Sequence, residues 1–132
     1  MVTVTSLSSE NLSSDFARRI VNTVNDLLSQ NHRDEAKVSV ALAPHKKIID
    51  LAVKYMEETE EEAKDHPVLS FLTSEIEQEF ILHPDEKEYL GEVIVSLEKS
   101  QEYADQKSTQ VEDEILELIS HGVLHLLGIH HD

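Results

Sequence analysis

Three histidines near the C-terminal end, His121, His125 and His131, stand in the spacing H-x3-H-x5-H. On a helix the first two fall on one face about one turn apart, close enough to share a metal ion. Gly128 follows them. Glycine tolerates the left-handed backbone that commonly closes a helix, so the chain can turn back and bring His131 to the same ion. Neutral imidazoles favour zinc, and three of them leave a fourth position for water, the arrangement of a catalytic site. One zinc per chain is the expected stoichiometry. Eight histidines in 132 residues would give this spacing by chance about three times in a hundred, and requiring glycine at 128 lowers that by a further factor of roughly forty. The competing reading is a helix end whose histidines lie favourably at the negative pole of its dipole.

The residue after the first histidine separates two chemistries. In the zinc frame of the metzincin proteases, H-x3-H-x2-G-x2-H, that residue is Glu, the general base acting on the zinc water. Here it is Gly122, which carries no base, so a peptidase is disfavoured. A hydrolase whose nucleophile needs only the metal stays open, because zinc alone can lower the pKa of bound water to about 7.

A helix must hold the first two histidines. Val111, Ile115, Leu118, Ile119 and Leu126 supply its buried stripe, and Thr109 with Glu112 reads as its capping box. Glu117 precedes His121 by one turn. It could accept a hydrogen bond from the far side of that ring, or form an ordinary surface pair. Upstream, Phe16, Ile20, Val24, Leu27 and Leu28 recur at helical spacing after the Ser13-Ser14-Asp15 start signal, which predicts a helix over 14–30. Val38, Val40 and Leu42 alternate with Lys37, Ser39 and Ala41 as a strand with one buried face. Pro44 breaks it and opens a second helix carrying Ile48, Ile49, Leu51, Ala52, Val53, Tyr55 and Met56. The acidic run Glu57–Glu62 reads as a solvated helix end or an exposed loop, with a cation-binding patch as the functional option. Val68–Phe71 and Leu90–Ser96 are further strands, 73–89 a long connection with an apolar island at Phe80, Ile81 and Leu82, and 97–106 a helix.

The terminal pattern H-G-x-L-H-L-x-G-x-x-H, spelled by His121-Gly122-Val123-Leu124-His125-Leu126-Leu127-Gly128-Ile129-His130-His131, resembles the signature of the YbeY-type rRNA maturation endoribonucleases. Upstream segments resemble the same family in the same order, and together they cover Val38 to His131. Val68-Leu69-Ser70-Phe71 is similar to its T-D-V-L-S-F segment, with His66 and Pro67 in place of Thr and Asp. Leu90-Gly91-Glu92-Val93-Ile94-Val95-Ser96 is similar to L-G-[DE]-I-x-I-S. Leu51-Ala52-Val53-Lys54-Tyr55-Met56 stands where the family has L-N-x-x-Y-R; Leu51 and Tyr55 agree, but Ala52 replaces Asn and Met56 replaces Arg. The usual Tyr-Asp before the third histidine is Ile129-His130 here. The chain thus resembles a diverged member.

The resemblance implies a zinc-dependent endoribonuclease acting on single-stranded RNA in rRNA maturation and ribosome quality control, in company with the ribosome or its associated proteins. It implies metal held by His121, His125 and His131, and an Arg facing the cleft that Met56 does not supply. An Arg there can stabilise charge developing on a transferring phosphate; Met cannot. Catalytic residues are otherwise unknown. Glu92 is one candidate, orienting a ligand or the zinc water, or merely flanking a strand start. His130 is another, as a proton shuttle or an exposed histidine.

Strands interleaved with helices predict an α+β fold, sandwich-like: one domain over 1–132 with a small mixed sheet of about four strands, helices packed on it, and the metal site on the C-terminal helix. The absence of Cys leaves metal binding to His and carboxylates. No apolar run approaches the ~20 residues of a membrane span, and the Ser/Thr-rich start does not read as a secretory leader, so a cytoplasmic protein is expected. The net charge of −16, from 27 acids against 11 bases, counts against extensive nucleic-acid contact, because RNA affinity is largely phosphate neutralisation by Lys and Arg. Two other classes stay open: a zinc-binding RNA- or ribosome-associated protein with weak or no catalysis, and a zinc peptidase.

Overall fold

The computed structural model describes residues 2–7, 12–72 and 89–129. The apolar island at 80–82 and residues 130 and 131 lie outside them. Four strands form one mixed sheet in the order β1-β2-β4-β3, with β1 Val2–Ser6, β2 Lys37–Ala43, β3 Val68–Leu72 and β4 Tyr89–Ser96. The pairs β1–β2 and β2–β4 are parallel, and β3 runs antiparallel to β4 as an edge. The described helices are α1 Ser14–Gln30, α2 His45–Met56, α3 Glu60–Ala63, α4 Leu97–Lys107 and α5 Val111–Leu126. The expected small mixed sheet of four strands with helices packed on it is therefore the observed one.

Alternation in the strands divides the core in two. Val38, Val40 and Leu42 of β2, with Val93 and Val95 of β4, point to one face. There they meet Phe16, Ile20, Val24 and Leu28 of α1 and Ile115, Ile119, Val123 and Leu126 of α5. On the other face Ile94, Leu69 and Phe71 pack with Ile48 and Ala52 of α2 and Ala63 of α3. Each fully buried aliphatic side chain contributes about 1.5–3 kcal/mol, so α5 is held to the sheet chiefly by its apolar stripe, not by helix propensity.

Local signals explain most boundaries. The Ser13 hydroxyl accepts from the Phe16 amide and starts α1. Thr59 and Glu62 form a reciprocal capping box at the start of α3, so part of the acidic run is a capped helical turn. The capping box expected at Thr109 and Glu112 does not form. Gln110 is the N-cap of α5 and has no side-chain cap bond. Thr109 instead donates to Glu114 at 2.8 Å, and Lys107 reaches the same carboxylate at 2.9 Å. Glu114 is buried, so its charge must be compensated. The Lys107 ammonium, then the Thr109 hydroxyl, hold its pKa below the usual carboxylate range. Strand β1 was not foreseen: its Val2 and Val4 face the core while threonines fill the other side.

Candidate metal centre

Helix α5 crosses β3 and β4 at unusually short range because residue 122 has no side chain. A Cβ at Gly122 would sit 2.5 Å from Val93 Cγ1 and 3.0 Å from Ser70 Oγ. Real Cβ atoms do not come within 2.5 Å of a neighbour in a packed interior, so something would have to shift. Ser70 then ties the edge strand to the helix, its hydroxyl donating to the Gly122 carbonyl at 3.2 Å. Packing thus accounts for the absence of a base after His121. A Glu here would have to push the helix off the sheet.

With Gly122 facing the sheet, His121 and His125 emerge on the exposed side, one turn apart on α5. They line a depression of about 250 Å³ together with Met56, His66, Val68, Leu69, Ser70 and Gly122. Met56, at the end of α2, is 46% exposed; it belongs to this opening and not to the core. The Ile129 amide reaches the Leu124 carbonyl at 2.9 Å and the Gly128 amide reaches that of His125 at 3.0 Å, with Gly128 at φ +81. That bond pair around a left-handed glycine is a Schellman closure, so the chain does turn back at Gly128. Among the described residues no three His, Asp or Glu groups come together as a metal site. His131 and His130 lie outside the described residues. The donors in view, two exposed imidazoles at i and i+4, suit a zinc ion.

Glu92 is not brought to the histidines. Opposite Phe71 in the sheet register, it lies on the α2 face and lines a separate depression with Lys47, Asp50, Lys54 and Tyr55. Half-burial raises its pKa, against the opposing effect of the Tyr89 hydroxyl. Glu117 stands 4.0 Å from the Lys107 ammonium.

One residue of the site carried no functional reading in the sequence. His66, just before β3, lines the histidine depression, and its Nε2 lies 2.7 and 3.0 Å from the two carboxylate oxygens of Glu58. The signal was present as His66 in place of the family's Thr, but its partner sits inside an acidic run that reads as solvated.

The family model for Endoribonuclease YbeY matches residues 4–132. The chain belongs to the YbeY endoribonuclease family. An Endoribonuclease YbeY of Dehalococcoides mccartyi is 33% identical over 129 residues, 91% of this chain and 70% of that protein. One from Picosynechococcus sp. is 44% identical over 70 residues, 52% of this chain and 43% of that protein, so the chain spans less than half of that relative. A Thermotoga maritima protein solved in solution matches the whole chain and 75% of its own, with a TM-score of 0.61 at 21% identity. This likeness carries the fold alone.

Proposed function

We propose that the chain is a zinc-dependent endoribonuclease that cuts single-stranded RNA in rRNA maturation and ribosome quality control, in the cytoplasm. The observation that carries this reading is the exposed His121–His125 pair beside a depression, in a chain whose relatives bear the name Endoribonuclease YbeY. His121, His125 and His131 would hold one zinc. The chemistry an ion supplies there is polarisation of a phosphate oxygen and activation of water. Ser70 and Gly122 fix the helix against β3, so that His121 and His125 are presented from a rigid support.

The acidic surface limits RNA contact to a few phosphates. Each neutralised phosphate on a single strand contributes about 0.7 to the log–log salt slope, and a shallow slope is expected. A second reading, a zinc-holding RNA or ribosome binder with little catalysis, is favoured by Met56 where the family resemblance implies Arg. A peptidase is disfavoured because Gly122 leaves no room for its base. Incubation of the zinc-loaded chain with single-stranded RNA, with and without chelator, tests the proposal. Chelator-sensitive cleavage supports it, and RNA binding without cleavage supports the second reading.

A further inference from the structure

We infer that His66, oriented by Glu58, accepts the proton of the attacking water in this cleft. The inference rests on the metal-dependent RNA cleavage proposed above. His66 is placed firmly. Its amide donates to the Ala63 carbonyl at 3.3 Å, and the next residue, Pro67, accepts from the Ser96 amide at 2.9 Å, extending the pairing of β3 with β4. Its ring is held by both carboxylate oxygens of Glu58, and the two side chains are only 30% and 19% exposed. Glu58 does not line the depression, whereas His66, His121 and His125 do. With Nε2 engaged by Glu58, Nδ1 is the nitrogen without a protein partner among the described residues.

A carboxylate behind one imidazole nitrogen fixes the tautomer, turns the other nitrogen into an acceptor and stabilises the imidazolium that forms. The nitrogen of His66 that Glu58 does not engage is thus the one that serves a proton. The titratable groups around it are Glu58 from the α2–α3 loop and His121 and His125 across the depression from α5. In the step, a water oxygen bonds to phosphorus as its proton passes to Nδ1 of His66. The bond from phosphorus to the leaving nucleoside oxygen breaks, and that oxygen takes a proton from solvent. No oxidation changes.

The test compares the parent chain, His66→Ala, His66→Gln, Glu58→Gln and His121→Ala, all zinc-repleted, on a labelled single-stranded RNA under single-turnover conditions. Both His66 variants are expected to cleave about a hundredfold more slowly, with zinc content and melting temperature kept and the acid limb of the pH–rate profile lost. Glu58→Gln is expected to lose less. In the metal-free protein, nitrogen NMR of the imidazole should show the Nε2–H tautomer, and Glu58→Gln should abolish that preference. An active parent with folded His66 variants equally active overturns this inference alone. Loss of zinc in those variants also overturns it, by making His66 a ligand. A zinc-loaded parent that cuts no RNA overturns both this inference and the nuclease reading.

Discussion

The sheet carries two depressions, and they differ in the donors they offer. At the β3 edge, between α5 and the end of α2, His121, His125 and His66 open beside Met56 around about 250 Å³. On the α2 face, Glu92 lies with Lys47, Asp50, Lys54 and Tyr55 around about 390 Å³. The larger hollow is the more charged, yet its carboxylates, half-buried Glu92 and exposed Asp50, stand among lysines. The smaller one presents imidazoles at helical spacing on an element wedged against the sheet. Donor type and rigid support, not volume, are the grounds on which metal chemistry is proposed for the histidine depression.

The sharpest way to break this contrast is to remove a donor from each side. His125→Ala is expected to abolish zinc binding and RNA cleavage, while Glu92→Gln keeps one zinc per chain; metal analysis of both after repletion checks it. Zinc loss in Glu92→Gln would mean that the faces are not separate. Zinc binding to the parent should also weaken in acid, because an imidazole must be neutral to ligate.

Next in size is Met56→Arg. The residue is exposed at the depression, so an Arg need not be buried there. Restoring a cation aimed at phosphate charge is worth about a hundredfold in rate, by analogy with one preorganised oxyanion donor. Cleavage should rise by about that factor with zinc content unchanged. A folded variant that cleaves no faster would detach the cleft from the end of α2.

Gly122→Ala probes the wedge itself. The added methyl meets Val93 at 2.5 Å, and such overpacking costs about 1–3 kcal/mol. The melting temperature should fall and zinc affinity should weaken as α5 shifts. An Ala variant as stable as the parent would show that the helix has room to move.

The smallest effect belongs to the other face. Burial raises the Glu92 pKa above its ordinary value of 4.5, so the folded chain binds this proton more tightly than the unfolded chain. Stability from this group is complete below the unfolded value and lost as pH rises through the folded one. Glu92→Gln should therefore melt slightly higher than the parent at pH 7, with the gap closing towards pH 4. Melting curves at the two pH values measure it, and a variant less stable at pH 7 would contradict it.

Much of this was legible in the chain. The 3.6-residue spacing of Phe16, Ile20, Val24 and Leu28 gave α1 its observed limits, and the alternation in β2 gave its buried face. His121, His125 and Gly128 announced the helix and its closure. Three things were not legible. Val2 and Val4 were masked by the Ser/Thr-rich composition around them, although their alternation was a strand signal. Thr109 was drawn from its capping role by the buried Glu114, a tertiary demand that no local motif states. His66 acquires its meaning only when the α2–α3 loop brings Glu58 to it, and Gly122 only when β4 brings Val93.

The central claim, that the α5 face is a metal-dependent RNA-cutting site, is tested most directly by one paired measurement. Zinc content and single-stranded RNA cleavage are determined together for the parent chain and His121→Ala, each with and without chelator. The account predicts one zinc per parent chain, cleavage that the chelator stops and zinc restores, and neither zinc nor cleavage in His121→Ala. A parent that holds no stoichiometric metal, or cleavage that survives both the chelator and the His121→Ala substitution, would contradict it.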